Sequence, residues 1–368
     1  MLATVPIESV RASAFEIPTD RPEADGTISW TSTTLVLVEA SARGKTGIGY
    51  TYSHGCIVRL ITETLAPLVK GGHALTPERA WSAMQRAIRN LGRQGLAATA
   101  ISAVDTALYD LKARLLDLPL AALLGSRRDA VPIYGSGGFT SYTDDELRRQ
   151  LAGWVAEEGC AYVKMKVGSQ PARDPHRVEV ARTAIGARAE LFVDANGAYS
   201  AKQAVGLAQS LSEFGVSWFE EPVSSDDLPG LRFVRGHVPA GMDVAAGEYS
   251  YTADQVRTML QAGAVDVQQA DITRCGGVTG FLAIADLCDA FHTDLSGHCA
   301  PALHLHVACA APRLRHLEWF HDHVRIERML FDGAPEPKDG MIRPDMNRPG
   351  HGLVFKHVDA ARYAMSAQ

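Results

Sequence analysis

The residues of this 368-residue chain that could do chemistry recur at a nearly constant spacing. Each is acidic, a lysine or a histidine and ends a short apolar run: Lys166, Asp194, Glu220, Glu248, Asp271, His298 and Glu318. The intervals between neighbours are 28, 26, 28, 23, 27 and 20 residues, each about the length of one strand and one helix. In a parallel barrel these side chains would meet at one mouth, because the active site lies at the carboxyl ends of the strands.

Three carboxylates of this series, at Asp194, Glu220 and Glu248, come from consecutive intervals. Crowded carboxylates repel one another unless a cation neutralises them. A set of hard oxygen ligands without Cys or His suits Mg²⁺ or Mn²⁺ better than Zn²⁺. The pattern therefore predicts a Mg²⁺ site, with Mn²⁺ as the alternative ion. Separate surface ion pairs are the competing interpretation, and the regular spacing of all three argues against it.

Lys164 and Lys166 are two residues apart on a predicted strand, so that both side chains point to the same face. The apolar Val163, Met165 and Val167 occupy the other face. The lysine pair is therefore predicted to face the barrel interior. Burial and like-charge repulsion are expected to lower the pKa of the two ammonium groups, which favours a lysine that acts as general base.

Asp271 and His298 end neighbouring predicted strands. A carboxylate bonded to one imidazole nitrogen fixes the tautomer of the ring and raises its basicity, so that the ring can serve as acid or base. The chain has 13 histidines, most of which are expected to be structural. The position of His298 at a strand end is what favours a chemical role.

After Val131, short apolar runs alternate with amphipathic stretches, which is typical of parallel βα units. The runs that predict strands are VPIY at 131, AYVKMKV at 161, ELFVDA at 190, VSWFEE at 216, MDVAAGE at 242, AVDVQQAD at 264, TDLSGH at 293 and RHLEW at 315. Helices are predicted between them, for example at Asp144 to Glu157, Ala201 to Phe214 and Gly277 to Phe291. Eight repeats in about 205 residues favour a closed barrel over an open sheet.

The chain before about residue 125 has a mixed pattern. Strands are predicted at Val5 to Ile17 and Thr33 to Ala40, with a return strand through Ile48 to Tyr52. Apolar residues at alternating spacings of three and four predict a helix from Leu96 to Leu116. This part is interpreted as an α+β domain. The tail from Pro335, rich in Pro and Gly, is expected to return to it.

The composition argues against several classes of function. Hydrophobic residues make up 46% and charged residues 21% of the chain, as in an ordinary globular protein. The net charge of −6 argues against nucleic acid or an anionic membrane as the partner. No stretch fits a membrane span or a secretory signal, and six cysteines without a CxxC pair fit a reducing compartment. A cytoplasmic protein with a small-molecule substrate is predicted.

Several motifs resemble those of the mandelate racemase subgroup of the enolase superfamily. They are VKMKVG (Val163 to Gly168), VDANGAYS (Val193 to Ser200), WFEEP (Trp218 to Pro222), AAGEYS (Ala245 to Ser250), ADITRCGGVTG (Ala270 to Gly280), SGH (Ser296 to His298) and HLEWF (His316 to Phe320). The segment from Ser102 to Gly125 resembles the end of the family's capping domain, so that the likeness covers nearly the whole chain. Ala270 and Cys299 depart from the family pattern, at positions that bear on substrate more than on mechanism.

The resemblance implies an α/β fold, a modified TIM barrel of the type (β/α)7β with an N-terminal α+β capping domain. The expected boundaries are a capping domain over residues 1–125, a catalytic barrel over 126–335 and a C-terminal segment over 336–368 that returns to the capping domain. A symmetric homo-oligomer is expected from the same resemblance.

The resemblance also implies a role for individual residues. Asp194, Glu220 and Glu248 match the Mg²⁺ ligands, Lys166 the lysine base with Lys164 as its partner, Asp271 and His298 the catalytic dyad, Glu318 the hydrogen-bond donor to the enediolate, and Asn196 a residue that lines the site.

The chemistry that both lines of reasoning predict is loss of the proton α to a substrate carboxylate, through an enediolate. Lys166 and His298 are expected on opposite faces of the substrate, one as base and one as acid. Protonation of a β-hydroxyl by His298 would give a 2-keto-3-deoxy acid, so that an acid-sugar dehydratase acting on an aldonate or aldarate is the first prediction. Reprotonation of the α-carbon on the far face is the second, which is the reaction of a racemase or epimerase of a 2-hydroxy acid.

Substrate contacts are expected from the capping domain, in the polar loop Pro18 to Trp30 and the segment Tyr50 to Gly55. Together with residues just past the last barrel strand, the candidates for hydrogen bonds to a polyol are Asp20, Arg21, Tyr52, His54, His321 and His323.

Two other classes of function compete with this prediction. The pairs His304/His306 and His321/His323 have the HxH spacing of zinc-dependent barrel hydrolases, but in those enzymes the motif closes the first strand, and here that strand ends in YGSGG. A non-catalytic binding scaffold is expected to have lost at least one strand-end group, and all of them are present. Both classes are therefore disfavoured.

Overall fold

The computed structural model describes residues 4–365 of the chain. It begins with an antiparallel sheet of three strands: β1 (Ser9–Ala24), β2 (Ser29–Ala42) and β3 (Lys45–Tyr52). The prediction of a loop from Pro18 to Trp30 is wrong, because β1 and β2 continue into a hairpin whose turn is residues 25–28. The register between the strands shifts between Pro18 and Glu23. This irregularity accommodates prolines that a regular ladder would exclude.

Helices pack on one face of this sheet. They are α1 (Ile57–Arg59), a π-helical turn (Leu60–Leu65), α2 (Ala66–Val69), α3 (Pro77–Ala87), a 3-10 turn (Ile88–Asn90), α4 (Leu96–Leu115) and α5 (Leu120–Leu124). The long helix predicted before residue 125 is confirmed as α4. Two glycines of β3 let α4 approach closely, since a Cβ on Gly47 would lie 2.2 Å from Leu111 N and a Cβ on Gly49 would lie 2.3 Å from the carbonyl oxygen of Ala103.

The rest of the chain is dominated by parallel strands that alternate with helices. The strands are β4 (Val131–Gly137), β5 (Tyr162–Lys166), β6 (Glu190–Asp194), β7 (Val216–Glu220), β8 (Asp243–Ala246), β9 (Val267–Ala270), β10 (Asp294–Gly297) and β11 (Leu314–Phe320). The helices between them are α6 (Asp144–Ala156), α7 (Asp174–Ile185), α8 (Ala201–Leu211), α9 (Leu228–Arg235), α10 (Ala253–Ala262), α11 (Gly277–Ala290) and α12 (Pro301–Ala310), with a 3-10 turn (Ser212–Phe214) after α8. β11 pairs with both β10 and β4, which closes the barrel. The predicted (β/α)7β barrel with an N-terminal α+β domain is confirmed.

Aromatic side chains fill the barrel below the strand ends. Tyr134, Phe192 and Trp218 come from β4, β6 and β7 and are buried. The rings of Phe192 and Trp218 stack with 5.1 Å between their centroids. This packed layer forms the floor on which the polar strand-end side chains stand, because side chains fill the interior of a barrel of this size.

The chain after β11, from residue 321 to residue 365, contacts both parts of the fold. It contains α13 (His321–Leu330), β12 (Phe331–Asp332), β13 (Met341–Ile342), β14 (Val354–Phe355), α14 (His357–Ala360) and a 3-10 turn (Ala361–Tyr363). β13 pairs with β4 of the barrel, and β14 pairs with β12. The backbone N–H of His351 donates to Asp110 Oδ1 of α4 at 2.9 Å, and Phe355 packs on Phe15 of β1.

Among residues 4–365, no helix is both long and apolar enough to cross a membrane.

A buried carboxyl group lies in the hairpin of β1 and β2. Glu23 is 0% exposed; its Oε2 accepts a hydrogen bond of 2.9 Å from Trp30 Nε1, and its Oε1 has no hydrogen-bond partner among residues 4–365. Burial, and after it the charge of Asp322, raise the pKa of Glu23 from 4.5 to about 9. The folded protein therefore keeps a proton on Glu23 over a pH range in which the unfolded chain releases it.

We expect the free energy of unfolding to fall as the pH rises from about 5 to about 9. The Glu23→Gln variant should lose less stability over this range, because it lacks the contribution of the Glu23 carboxyl group. In this window the unfolded state binds fewer protons at Glu23 than the folded state does, so that stability decreases with pH. The glutamine carbonyl can still accept the Trp30 N–H. Urea unfolding at pH 5, 7 and 9 measures the effect. The free energy of unfolding of the variant, relative to that of the wild type, should rise by at most about 1.4 kcal/mol per pH unit.

The exposed Glu213 provides the control, since Glu213→Gln should leave the pH dependence of unfolding unchanged. A stability difference between wild type and Glu23→Gln that is the same at all three pH values would contradict a buried, protonated Glu23.

Candidate active site

The three predicted metal ligands converge at the mouth of the barrel. Asp194 and Glu220 are the last residues of β6 and β7 and are register partners, and Glu248 follows β8 by two residues. One carboxylate oxygen from each lies within 4.8 Å of the other two. All three residues are buried. Buried carboxylates this close together need opposing positive charge.

Lys164 and Lys166 supply part of that charge. Lys164 Nζ contacts a carboxylate oxygen of Glu220 and lies 2.8 Å from Glu318 Oε1. Lys166 Nζ lies 2.5 Å from Asp194 Oδ2, and both lysines are buried, as predicted for an inward-facing pair. The predicted lowering of their pKa is wrong, because burial lowers the pKa but the neighbouring carboxylates raise it above the ordinary value for both. Their attraction outweighs desolvation and the repulsion between the two ammonium groups.

Asp271 and His298 form the predicted pair. His298 Nδ1 lies 2.9 Å from Asp271 Oδ2, and His298 Nε2 lies 3.1 Å from Glu248 Oε2. Burial opposes ionisation of Asp271, but the hydrogen bond from His298 and the charge of Arg274 lower its pKa to about 2. Burial also opposes the charge on His298, yet the neighbouring Cys299 thiol, followed by the charges of Glu248 and Glu318, raises its pKa well above the ordinary value. Asp271 therefore holds Nδ1–H and turns Nε2 of a protonated ring toward the triad.

Glu318 of β11 connects the lysine and histidine sides of the site. Its Oε1 accepts a hydrogen bond from Ser136 Oγ at 2.6 Å, and its Oε2 accepts one from the backbone N–H of Cys299 at 2.9 Å. Burial raises the pKa of Glu318, but the charge of Lys164, followed by that of His298, lowers it below the ordinary value. An ionised carboxylate only accepts hydrogen bonds, so the donor role implied by the resemblance requires that a proton first reach Glu318.

The donor set of the triad fits a hard divalent cation. It offers carboxylate oxygens alone, which are the ligands that Mg²⁺ prefers. Two further buried oxygens next to it, Asn196 Oδ1 and Glu221 Oε1, have no hydrogen-bond partner within the described part of the chain. Asn196 and Glu221 also adopt positive φ angles of 47° and 37°. Such backbone conformations are uncommon outside glycine and cluster at functional sites.

A cavity of about 450 Å³ lies between these groups and the N-terminal sheet. The barrel contributes Lys166, Asn196, Glu248, Arg274, His298 and Glu318 to its wall, and the hairpin and the end of β3 contribute Asp25, Trp30, Ser32, Thr33, Thr34, Tyr52, Ser53 and His54. Gly26 at the hairpin turn rests on the barrel mouth, since a Cβ there would lie 2.4 Å from the carbonyl oxygen of Ala195. The N-terminal sheet thus covers the strand ends.

Four of the residues predicted to contact substrate line this cavity, namely Tyr52, His54, Asn196 and His323. The ring of Tyr52 stacks on His323 with 3.5 Å between the centroids. A residue of the N-terminal domain is thereby packed against the segment that follows the last barrel strand.

Asp20, Arg21 and His321 are not among the residues that line the cavity. His321 Nε2 lies 3.1 Å from Asp20 Oδ2, and Arg21 contacts Glu146 of α6. These contacts connect the hairpin to the helices outside the barrel. Residues 20 and 21 belong to strand β1 and not to a loop over the barrel mouth, so their side chains do not reach the cavity.

Sequence reasoning missed Arg274 and Ser136. Arg274 lines the cavity; its Nη1 lies 3.4 Å from Glu248 Oε1 and its Nε lies 3.4 Å from Asp271 Oδ2. Arg274 lies three residues after Asp271, on the loop that follows β9, and this position could have identified it as a residue of the site. Ser136, whose hydroxyl donates to Glu318, carries no signal beyond its place near the end of β4.

The four histidines of the HxH pairs have separate partners. His304 and His306 lie on α12, where each accepts a backbone N–H through a ring nitrogen. His321 bonds to Asp20, whereas His323 stacks on Tyr52. Neither pair closes the first barrel strand, so the described residues do not reproduce the zinc arrangement of the barrel hydrolases.

Comparison with known families covers both parts of the chain. The family model described as mandelate racemase/muconate lactonizing enzyme, N-terminal domain, matches residues 11–125. The model described as enolase C-terminal domain-like matches residues 146–359. L-Talarate/galactarate dehydratase of Salmonella typhimurium is 31% identical over 374 residues, which cover 97% of this chain and 90% of that protein.

Solved structures of proteins similar to this chain cover nearly its whole length. A mandelate racemase/muconate lactonizing enzyme-like protein from Rubrobacter xylanophilus has a TM-score of 0.96 at 51% identity, over 98% of this chain and 100% of that chain. A racemase from Streptomyces coelicolor with bound magnesium has a TM-score of 0.91 at 30% identity, over 98% of this chain and 100% of that chain.

Proposed function

Since the chain belongs to the mandelate racemase/muconate lactonizing enzyme family of the enolase superfamily, we propose that it is a Mg²⁺-dependent dehydratase of acid sugars. The observation that carries the proposal is a carboxylate triad flanked by two acid–base groups. Lys166 contacts the triad at Asp194, and His298 contacts it at Glu248. The dehydratase name of the Salmonella relative supports the same class of reaction.

Asp194, Glu220 and Glu248 would hold the Mg²⁺. When bound, the ion supplies positive charge that binds the substrate carboxylate and stabilises the negative charge that develops as the α-proton leaves. The all-oxygen donor set supports this assignment, and the Streptomyces neighbour has magnesium bound.

Lys166 and His298 are the groups proposed to move protons. Both line the cavity, Lys166 beside Asp194 and His298 beside Glu248, so that a substrate with its carboxylate at the triad would present its α-carbon between them. Either group can take the α-proton only when it is unprotonated, and the bound ion would lower the pKa of Lys166 because it would neutralise the carboxylates that raise that pKa. The electrons of the C–H bond then form the double bond of an enol as the C–O bond to the β-hydroxyl breaks. The protonated imidazole of His298 can donate the proton with which the hydroxyl leaves as water. The enol then becomes a 2-keto-3-deoxy acid.

Asp271, Lys164 and Glu318 are proposed to position and stabilise these groups. Asp271 fixes the tautomer of His298 through Nδ1. Lys164 lies between the carboxylates of Glu220 and Glu318 and reduces their repulsion. Glu318 lines the cavity, and its negative charge, 3.6 Å from His298 Nε2, stabilises the protonated imidazole.

Incubation with a panel of aldonates and aldarates in the presence of Mg²⁺ tests the proposal. We expect a product that reacts with semicarbazide, because elimination of water leaves a 2-keto group. At least one substrate should give this product, and the Lys166→Met and His298→Asn variants should give none above background. A panel without any 2-keto product would contradict the dehydratase assignment.

A racemase or epimerase of a 2-hydroxy acid is the second candidate, because acid–base groups at both ends of the triad also allow removal and return of the α-proton on opposite faces. The Streptomyces neighbour is named a racemase. The same panel separates the two functions, since an epimerase changes the configuration of the α-carbon without releasing water. Chiral chromatography of the recovered acids detects that change.

A further inference from the structure

We propose that the part of the cavity formed by the N-terminal sheet is a subsite for an uncharged polyol chain, and that the substrate is therefore an aldonate and not an aldarate. The inference rests on the proposed function and narrows it. An aldonate has one carboxylate, which the triad and its cation would bind. An aldarate has a second carboxylate at the other end of the chain, which the N-terminal sheet would have to bind.

Two hydroxyl groups on this wall, those of Ser32 and Thr33, donate their protons to carboxylates outside the cavity. Ser32 Oγ donates to Glu16 Oε1 at 2.9 Å, and Thr33 Oγ1 donates to Asp322 Oδ2 at 2.5 Å. A hydroxyl has a single proton to donate but two lone pairs. Ser32 and Thr33 can therefore accept from a sugar hydroxyl, whereas a carboxylate, which only accepts, would find no donor there.

The imidazole of His323, which packs on Tyr52 beside this wall, does not supply positive charge. Burial lowers the pKa of His323 to about 3, so that its ring is neutral near pH 7. His54 Nδ1 accepts the backbone N–H of Cys56 at 3.1 Å. The nearby carboxyl group of Asp25 also lines the cavity and would repel an anion.

The cationic side chains that line the cavity belong to the strand ends and loops at the barrel mouth, where each lies next to acidic side chains. The buried carboxyl groups there are Asp194, Glu220, Glu221, Glu248, Asp271 and Glu318, and the positive charges among them are Lys164, Lys166, Arg274, the protonated His298 and the Mg²⁺ that would bind. One substrate carboxylate can bind at the cation. A second carboxylate, at the N-terminal sheet, would lose its hydration without gaining a counter-charge.

Matched pairs of substrates test this inference on the wild-type protein with Mg²⁺. Each pair shares its stereochemistry and differs in one end group, as gluconate and glucarate or galactonate and galactarate do. We expect kcat/KM to be at least about tenfold higher for the aldonate of any pair that reacts, because the site would leave the second carboxylate unpaired. The aldarate should also be the weaker competitive inhibitor.

A single substitution tests whether charge at this wall sets the preference. Thr34 lines the cavity and, unlike Ser32 and Thr33, donates to no carboxylate among the described hydrogen bonds. Thr34→Lys should shift the ratio of kcat/KM toward the aldarate by about tenfold relative to Thr34→Met, which has a similar length and no charge. An equal ratio for the two variants would contradict a subsite whose selectivity depends on charge.

The outcomes separate this inference from the proposed function. Equal or faster turnover of the aldarate in a matched pair would overturn the aldonate preference and leave the dehydratase assignment standing. Failure of every aldonate and every aldarate to react would overturn the proposed function, and this inference with it.

Discussion

Substitution of either proton-transfer group is expected to lower kcat for dehydration by about 10³-fold or more. Lys166→Met removes the ammonium group that contacts Asp194, and His298→Asn removes the imidazole that Asp271 orients. Because the two groups stand at opposite ends of the triad, they should differ in their effect on the α-proton. Exchange of that proton with deuterium from D2O, followed by NMR, should persist in one variant and vanish in the other. The variant that loses exchange identifies the group that takes the proton.

Surface residues of the same type provide matched controls. Lys202→Met and His237→Asn alter exposed side chains outside the cavity and should leave both kcat and the exchange rate unchanged. Normal α-proton exchange in both Lys166→Met and His298→Asn would contradict the assignment of these groups to proton transfer.

Glu220→Gln is expected to weaken Mg²⁺ binding by about 100-fold or more and to abolish measurable turnover. The amide keeps the shape of the side chain but removes one of the three negative charges that a divalent cation needs at this site. Substitutions of residues that only orient metal ligands already reduce affinity by about 10- to 100-fold, so that loss of a ligand charge should cost at least as much. Calorimetric titration with Mg²⁺ measures the affinity directly, without dependence on the substrate.

The exposed Glu213 serves as the control, since Glu213→Gln should bind Mg²⁺ as the wild type does. Circular dichroism of Glu220→Gln should show the native helix content, which separates loss of binding from loss of fold. Wild-type affinity for Mg²⁺ in a folded Glu220→Gln protein would contradict the assignment of the triad.

The barrel was predictable from the sequence because seven of its eight strands place an ionisable group at or near their carboxyl ends. The regular interval from Lys166 to Glu318 encodes the repeat of strand and helix, and a closed parallel barrel brings equivalent positions together. Asp194, Glu220 and Glu248 could therefore be grouped before any coordinates were known. Their separation of less than 4.8 Å follows from the pairing of adjacent strands.

The electrostatics of the lysine pair could not be predicted from spacing. The spacing of Lys164 and Lys166 gave the face but not the distances to the surrounding carboxylates. In the structure, Lys164 lies near Glu220 and Glu318, and this attraction reverses the expected direction of the pKa shift. Charge effects depend on distances across strands, which the local sequence does not contain.

The hairpin of β1 and β2, which covers the barrel mouth, was not predicted from the sequence. Pro18 and the polar residues after it are typical of a loop, but the register shift before Glu23 lets β1 continue. As a result Asp20 and Arg21 lie at the outer helices, whereas Ser32 and Thr33 of the returning strand line the cavity. The cavity-lining residues of β2 could be identified only after the strand pairing was known, whereas Tyr52, His54, Asn196 and His323 were predicted from the sequence.

The measurement that tests the central claim most directly is the fate of the α-proton during turnover in D2O. With Mg²⁺ present, we expect at least one acid sugar to lose its α-proton to the solvent as it is converted, and we expect both conversion and exchange to stop when EDTA removes the metal. ¹H NMR follows the α-proton and the product together. Conversion in which the α-hydrogen is retained, or conversion that continues unchanged in EDTA, would contradict a metal-assisted abstraction of that proton.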